Sequence, residues 1–176
     1  MEAFIDFIKS FIHLFRFWIV LDPDEKGVQI RAGKFRKVLE PGWHFMLPGG
    51  WDKARVDDVT PSTLDLGLQD VESKDGKQVT LTAILLWQIT DIKKIKLEVQ
   101  DAEDALTDSA SGYITEMIQS HNWDEIRKPD FPRKLKPEIQ KQAREWGIRV
   151  RKVQFNSCTA AKHIRLIQDT PDGGEE

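Results

Sequence analysis

Between Gln78 and Ile89 apolar side chains recur at every second position, as Val79, Leu81, Ala83, Leu85, Trp87 and Ile89. That period belongs to a strand with a buried face and does not suit a helix. The interleaved positions include Ile84 and Leu86, so the middle of the strand is apolar on both sides. A strand of this kind calls for a sheet with a helix layer over one face and loops or a partner over the other.

The segments on either side supply that sheet and that layer. Lys74-Asp75-Gly76-Lys77 leads into the strand, and Asp-Gly suits the positive φ of a tight hairpin turn. Residues 63–71 and 53–57 read as further strands, separated by Thr60-Pro61-Ser62. Residues 28–31 and 35–39 form a hairpin about Ala32-Gly33-Lys34, with Lys34, Arg36 and Lys37 on its polar side. Glu40-Pro41-Gly42 then turns the chain into Trp43-His44-Phe45-Met46-Leu47, and Pro48-Gly49-Gly50-Trp51 follows. Two tryptophans bracket this apolar loop. Tryptophan is favoured at the lipid headgroup level, so the loop is a candidate membrane contact through Trp43, Phe45, Met46, Leu47 and Trp51. The alternative is a loop that fills one end of a β-core.

Residues 91–99 are ambiguous between a helical turn and an edge strand. Asp101 has the chemistry of an N-cap, with Glu103 and Asp104 in the turn where the helix dipole favours acids. Ala102, Leu106, Ala110, Tyr113, Ile114, Met117 and Ile118 give the helix that follows one apolar face, and Asn122 lies just beyond it. Pro129-Asp130-Phe131-Pro132 reads as a connector. Pro137 is at home in a first turn, which places the start of a second helix near Leu135 or Lys136. Ile139, Ala143 and Trp146 face inward there, and Gly147 is placed as the left-handed residue after the helix. Ile148, Val150, Val153 and Phe155 make a last strand with a bulge at Arg151-Lys152. Residues 159–168 read as the start of another helix, and residues 170–176 as a polar tail expected to be disordered.

The first nineteen residues face a different solvent. On a helical wheel Glu2, Asp6, Lys9, Ser10, His13 and Arg16 fall within roughly 120°. Phe4, Ile5, Phe7, Ile8, Phe11, Ile12, Leu14, Phe15 and Trp18 cover the rest, an apolar arc wider than a surface helix turns toward a core. A charge or a histidine every three or four positions argues against a spanning helix. The acidic start and the lack of a small-residue cleavage site argue against a signal peptide. The pattern predicts a helix over residues 1–21 lying in the membrane interface, against the alternative that it docks on its own domain or on a partner. Asp22-Pro23-Asp24 ends it. Residues 22–158 then form the globular domain, and 159–176 a helix start and acidic tail.

Recognisable chemistry is sparse. There is no P-loop, dinucleotide-binding glycine pattern, nucleophile elbow or zinc-protease motif. The four histidines are scattered, and the single cysteine, Cys158, excludes an internal disulfide and reads as a small core side chain. Asp57 and Asp58 are adjacent, so a strand would point them to opposite faces. No cofactor and no metal are expected, and the chain is not read as an enzyme. Charge, in contrast, is strongly segregated. Residues 98–126 carry eight acids and no Lys or Arg, whereas residues 127–152 carry ten bases and three acids. The acidic set (Asp101, Glu103, Asp104, Asp108, Glu116) and the basic set (Lys134, Lys141, Arg144, Arg149, Arg151) are candidates for a head-to-tail contact between copies of the chain. Two solvated helix faces, or a pairing within one subunit, would give the same pattern. Nucleic-acid binding through residues 127–152 is a distant alternative, because Trp146 falls in phase with the core positions Ile139 and Ala143.

Asp24-Glu25-Lys26-Gly27-Val28, Arg31-Ala32-Gly33-Lys34, Val38-Leu39-Glu40-Pro41-Gly42-Trp43-His44-Phe45 and Leu47-Pro48 stand in an order that resembles the start of SPFH domains. These are also called Band 7 or PHB domains, of the stomatin, prohibitin and flotillin superfamily. Ser73 to Val79 resembles the family's central hairpin, Trp87-Gln88-Ile89-Thr90-Asp91 its following strand end, and Trp146-Gly147-Ile148-Arg149-Val150 its last helix-to-strand junction. The resemblance implies an α+β domain with a twisted, mainly antiparallel sheet and two principal helices, preceded by an N-terminal amphipathic membrane helix. It implies a membrane-bound, oligomeric scaffold that organises a membrane patch or regulates a membrane protein such as a protease or channel. The partners implied are the lipid bilayer, further copies of the chain and a membrane-protein client. Arg31, Lys34, Arg36 and Lys37 favour the cytoplasmic face. The alternative is a soluble module whose N-terminal helix docks on another protein. Long-form relatives continue into an extended coiled coil, which this sequence does not contain.

Overall fold

The computed structural model describes residues 17–161. Residues 1–16 of the helix predicted over 1–21, and the residues after 161, lie outside the described residues. Within them the chain forms three antiparallel sheets, not one, and four helices. Strands β1 (Trp18–Leu21) and β4 (Gly42–Phe45) form a two-stranded ribbon. Strands β3 (Lys34–Leu39), β2 (Glu25–Arg31) and β5 (Asp52–Asp58) form the second sheet. The third has β7 (Gln78–Ile89) between β6 (Ser62–Glu72) and β8 (Ile148–Ala161). The helices are α1 (Ile92–Glu98), α2 (Ala102–Ser120), α3 (Trp123–Ile126) and α4 (Phe131–Glu145).

The centre is the β7 strand anticipated from its period. Val79, Leu81, Ala83 and Leu85 are fully buried, and Trp87 and Ile89 nearly so. Each fully buried leucine stabilises by about 1.5–3 kcal/mol relative to exposure. Leu106, Ala110, Ile114 and Ile118 of α2 join them, with Leu135, Ile139 and Ala143 of α4, in a single core. On the opposite face Ile84 and Leu86 are only half-buried. Helix α1 has Ile92 and Ile95 buried and packs on β2, so it joins the second sheet to the third. Two polar contacts hold it there: Arg55 Nη1 donates to Lys96 O at 3.0 Å, and Lys96 pairs with Asp57 at 2.5 Å. Asp58 instead accepts from the Thr60 amide, so the two adjacent carboxylates part company as the strand period requires.

Several local expectations hold. Asp101 caps α2 by accepting from the Glu103 and Asp104 amides. Ala32 and Gly33 have φ of 48° and 80°, as a two-residue mirror-image turn between right-twisted strands demands. Gly76 has φ of 74°. Its neighbour Asp75 reaches across the fold to accept from the Trp123 amide at 3.0 Å, a cap for α3 supplied from outside the helix. That bond, with Lys77 and Ser73, holds the Asp75 carboxyl well below the usual carboxylate range. The β7–β8 register slips at Arg151, where a bulge was expected, and again at Asn156.

Three expectations are corrected and one open alternative is resolved. Residues 18–21, counted within the N-terminal helix, form β1, because their alternating side chains pair with β4. Residues 91–99 resolve as helix α1, capped by Asp91, which accepts from the Lys93 and Lys94 amides. Helix α4 starts at Phe131 and not at Leu135, because Pro132 takes the first-turn seat and Phe131 is buried. Pro137 therefore lies inside the helix, on its exposed side. Residues 159–161 continue β8 and do not start a helix, since Gln78, Val79 and Thr80 of β7 pair with Ala161, Ala160 and Thr159.

Candidate membrane-contact surface

In the β1–β4 ribbon Trp18 lies opposite Phe45, and Val20 opposite Trp43. Residues directly opposed in an antiparallel pair present their side chains on the same face, so these four form one surface. They are exposed: Trp18 by 52%, Val20 by 61%, Trp43 by 62% and Phe45 by 50%. The alternate residue Leu21 is buried, and Ile19 and His44 are half-buried, as the period of two dictates. Phe17 stacks on Phe45 with ring centroids 6.2 Å apart, extending the aromatic run. Trp51, exposed by 65%, projects from the turn that leads into β5. Scattered apolar side chains on a surface are ordinary, but a contiguous group of this kind marks a place of contact.

A buried charge cluster fixes the ribbon's end to the second sheet. The Asp52 side chain is fully buried, and its two oxygens take the Arg31 guanidinium in a fork at 2.7 Å each. The same carboxylate accepts from Gln29 Nε2 at 2.7 Å and from the Leu47 amide at 2.8 Å. Burial alone would raise its pKa. The bonds from Arg31 and Leu47, the Arg31 charge and the Gln29 bond outweigh that, and hold it below its ordinary value. Two backbone bonds complete the tie. The Met46 amide donates to Phe17 O at 2.7 Å, and the Ala32 amide to Trp51 O at 2.8 Å. The latter ties the turn of the basic hairpin, at Ala32, to Trp51.

Of the aromatic residues singled out in the sequence, Trp18, Trp43, Phe45 and Trp51 are thus exposed, on a strand pair and its following turn, and Phe4, Phe7, Phe11 and Phe15 lie outside the described residues. Met46 is not: it is buried to 8% exposure, and its place in the contact set is corrected to the fold's interior. Leu47 is half-buried and gives its amide to Asp52. Val20 was missed, because β1 was read as helix. The Asp52–Arg31 pair was missed as well, and its only trace in sequence is a lone acid between Trp51 and Lys53.

Asp101, Glu103, Asp104, Asp108 and Glu116 are exposed on α2 or its cap. Lys134, Lys141 and Arg144 on α4 and Arg149 and Arg151 on β8 are exposed too. Although α2 packs against α4, no ion pair joins them among the described residues. No group of three or more metal-ligating side chains occurs there either. No described helix is long and apolar enough to cross a membrane.

The family model described as SPFH domain / Band 7 family matches residues 19–169. An uncharacterized protein of Methanocaldococcus jannaschii is 26% identical over 149 residues, covering 84% of this chain and 74% of that protein. A stomatin-like protein of Caenorhabditis elegans is 30% identical over 147 residues, 80% of this chain and 44% of its own. A stomatin homolog of Pyrococcus horikoshii is 24% identical over 133 residues, 74% of this chain and 50% of its own. The chain therefore spans about half the length of the two stomatin relatives. With a match over most of its length and the mixed, antiparallel architecture described above, the chain belongs to the SPFH/Band 7 family.

Proposed function

We propose that this SPFH domain lies on a membrane with the β1–β4 ribbon against the lipid, and acts there as a scaffold. The observation that carries this reading is the exposed face of Trp18, Val20, Trp43 and Phe45. Tryptophan suits the headgroup level because its ring is apolar while its N–H can stay wet. The basic hairpin, whose turn at Ala32 is tied to Trp51, carries Lys34, Arg36 and Lys37 and would add attraction to anionic lipid. Residues 1–16, whose sequence carries the wide apolar arc, precede the ribbon in the chain and add a second, sequence-based argument for lipid. Flotation with vesicles of phosphatidylcholine and phosphatidylglycerol tests it. Val20→Glu with Trp43→Asp should weaken vesicle binding about 100-fold, since two charges carried toward lipid cost about 3 kcal/mol or more. Phe11→Asp should weaken it through the N-terminal segment independently. Undiminished flotation of the folded ribbon variant would remove the ribbon from the contact.

The scaffold reading includes side-by-side assembly, with the acidic outer surface of α2 on one copy facing the basic surface of α4 on the next. The exposed and mutually unpaired charges of these two helices support it. Anchoring in one leaflet orients and concentrates the copies, so weak contacts suffice. Lys141→Glu with Arg144→Glu should reduce the copy number seen by mass photometry in mild detergent, and 0.5 M salt should do the same to the wild type. Circular dichroism should not change, because both side chains are exposed. A monomeric wild type, or a reversal that leaves the copy number intact, would end this part of the reading.

A further inference from the structure

A second surface, apart from the ribbon, has the form of a docking groove. It is a cleft of about 700 Å³ between β8 and the chain that runs from α3 into α4. Its apolar lining includes Ile126, Pro132, Val153 and Phe155. Six cationic side chains rim it, Arg127, Lys128, Arg133, Lys136, Arg151 and Lys152, and no carboxylate lines it. Arg127 and Arg133 have acidic neighbours, Asp124 at 3.7 Å and Asp130 at 2.9 Å. Lys128, Lys136, Arg151 and Lys152 have no acidic partner among the described residues.

The β8 wall is also a sheet edge. Among the described residues β8 pairs only with β7. On its other side the Gln140 side chain imitates a neighbouring strand, donating to Ile148 O at 3.1 Å and accepting from the Val150 amide at 2.7 Å. Past Val150 that edge has no described backbone partner. A free edge next to an apolar trough is the arrangement that takes up an extended peptide, the backbone giving affinity and the trough giving selection. Here the rim selects for acid.

We propose that the groove is occupied by the chain's own acidic stretch, residues 169–176. That stretch reads Asp-Thr-Pro-Asp-Gly-Gly-Glu-Glu, four carboxylates and no base. It follows β8 in the chain after a link of seven residues, 162–168, ample for an antiparallel return. Extended, eight residues reach about 26 Å, the same as the eight residues from Arg151 to Cys158 along the β8 wall. Tethering through so short a link gives an effective concentration near the millimolar range, so a contact led by charge suffices. Pro171 has no amide to give and the glycines carry no side chain. The carboxylates and not a continuous ladder therefore hold the segment in place. The groove shares Arg151 with the proposed assembly surface, and its other five cations lie outside that set.

Cys158 reports on the groove, because it is the single cysteine and sits half-buried in the lining. The measurement is its rate of modification by a bulky maleimide in the full chain at 50 mM salt. Replacing Asp169, Asp172, Glu175 and Glu176 by Asn or Gln alters none of residues 17–161, and should speed modification at least about threefold. Raising salt to 0.5 M should bring the unmodified chain to that faster rate. Lys136→Glu with Lys152→Glu should also be fast, with no further gain from the tail substitutions. Equal rates for the full chain and the tail variant at low salt would overturn the proposal. Protection that fades on tenfold dilution would move the segment to a second copy and overturn it too. Should the groove reversal unfold the domain, the tail variant and the salt comparison decide alone.

Discussion

Gly147→Val is expected to lower the thermal midpoint by roughly 8–16 °C, the equivalent of about 4 kcal/mol in a domain of this size. Two costs add. Gly147 has φ of 79°, a left-handed conformation that costs a β-branched residue about 1–3 kcal/mol. A Cβ there would also stand 2.7 Å from Asp91 O and 2.8 Å from Asp91 Cβ, inside van der Waals contact. Overpacking of that kind adds about 1–3 kcal/mol, and here the crowding atoms are a backbone oxygen and a Cβ fixed to the backbone, neither of which can swing aside. Its carbonyl accepts from the Thr90 amide at 2.8 Å, the Asp91 amide at 3.0 Å and the Thr90 hydroxyl at 2.8 Å. Any shift of Gly147 thus loosens the end of β7, the Asp91 cap of α1 and the start of β8 together. Differential scanning calorimetry checks it, and a midpoint within 3 °C of wild type would show that the junction gives way more easily than its geometry indicates.

Asp52→Ala should destabilise by about 3–5 kcal/mol, as removal of one partner from a buried ion pair does. The lower end applies, because Arg31 keeps 31% side-chain exposure and regains some water. Gln29 Nε2 and the Leu47 amide lose their acceptor as well, so hydrogen exchange at Leu47 should accelerate in step with the loss. The charge also sets a pH window. The folded carboxyl has the lower pKa, so its stabilisation is present above the unfolded value near 4 and lost as pH falls through the folded one. The stability gap between wild type and Asp52→Asn, from urea midpoints, should therefore be widest near pH 7 and close below about pH 4. A gap that does not depend on pH would mean that the charge of Asp52 contributes nothing.

Where one segment's pattern decides its structure, the sequence was readable. The two-residue period of β7, the Asp101 cap, the left-handed Gly147 and the slip at Arg151 each depend on neighbours within a few positions. Where a distant partner decides, it was not. Residues 18–21 are apolar without interruption, so helix and strand periods fit equally, and pairing with Gly42–Phe45 breaks the tie. Thr159-Ala160-Ala161 has little strand character of its own and is extended because the start of β7 lies beside it. For α4, two prolines competed for the first turn, and burial of Phe131 decided for Pro132. The aromatic content of the candidate contact surface was visible. Its buried support was not, since Asp52 and Arg31 lie 21 residues apart.

The shortness of the ribbon has a mechanical side. Phe17 leads into Trp18 with no turn between them, and the Trp18–Phe45 pair is the first rung of a four-rung ladder. A pull on residue 17 across the strand axis loads its bond from the Met46 amide first and then opens the ladder one rung at a time, like a zip. A pull along the axis shears all four rungs at once and meets far greater resistance. The ribbon therefore yields readily to tension in one direction and stiffly in the other.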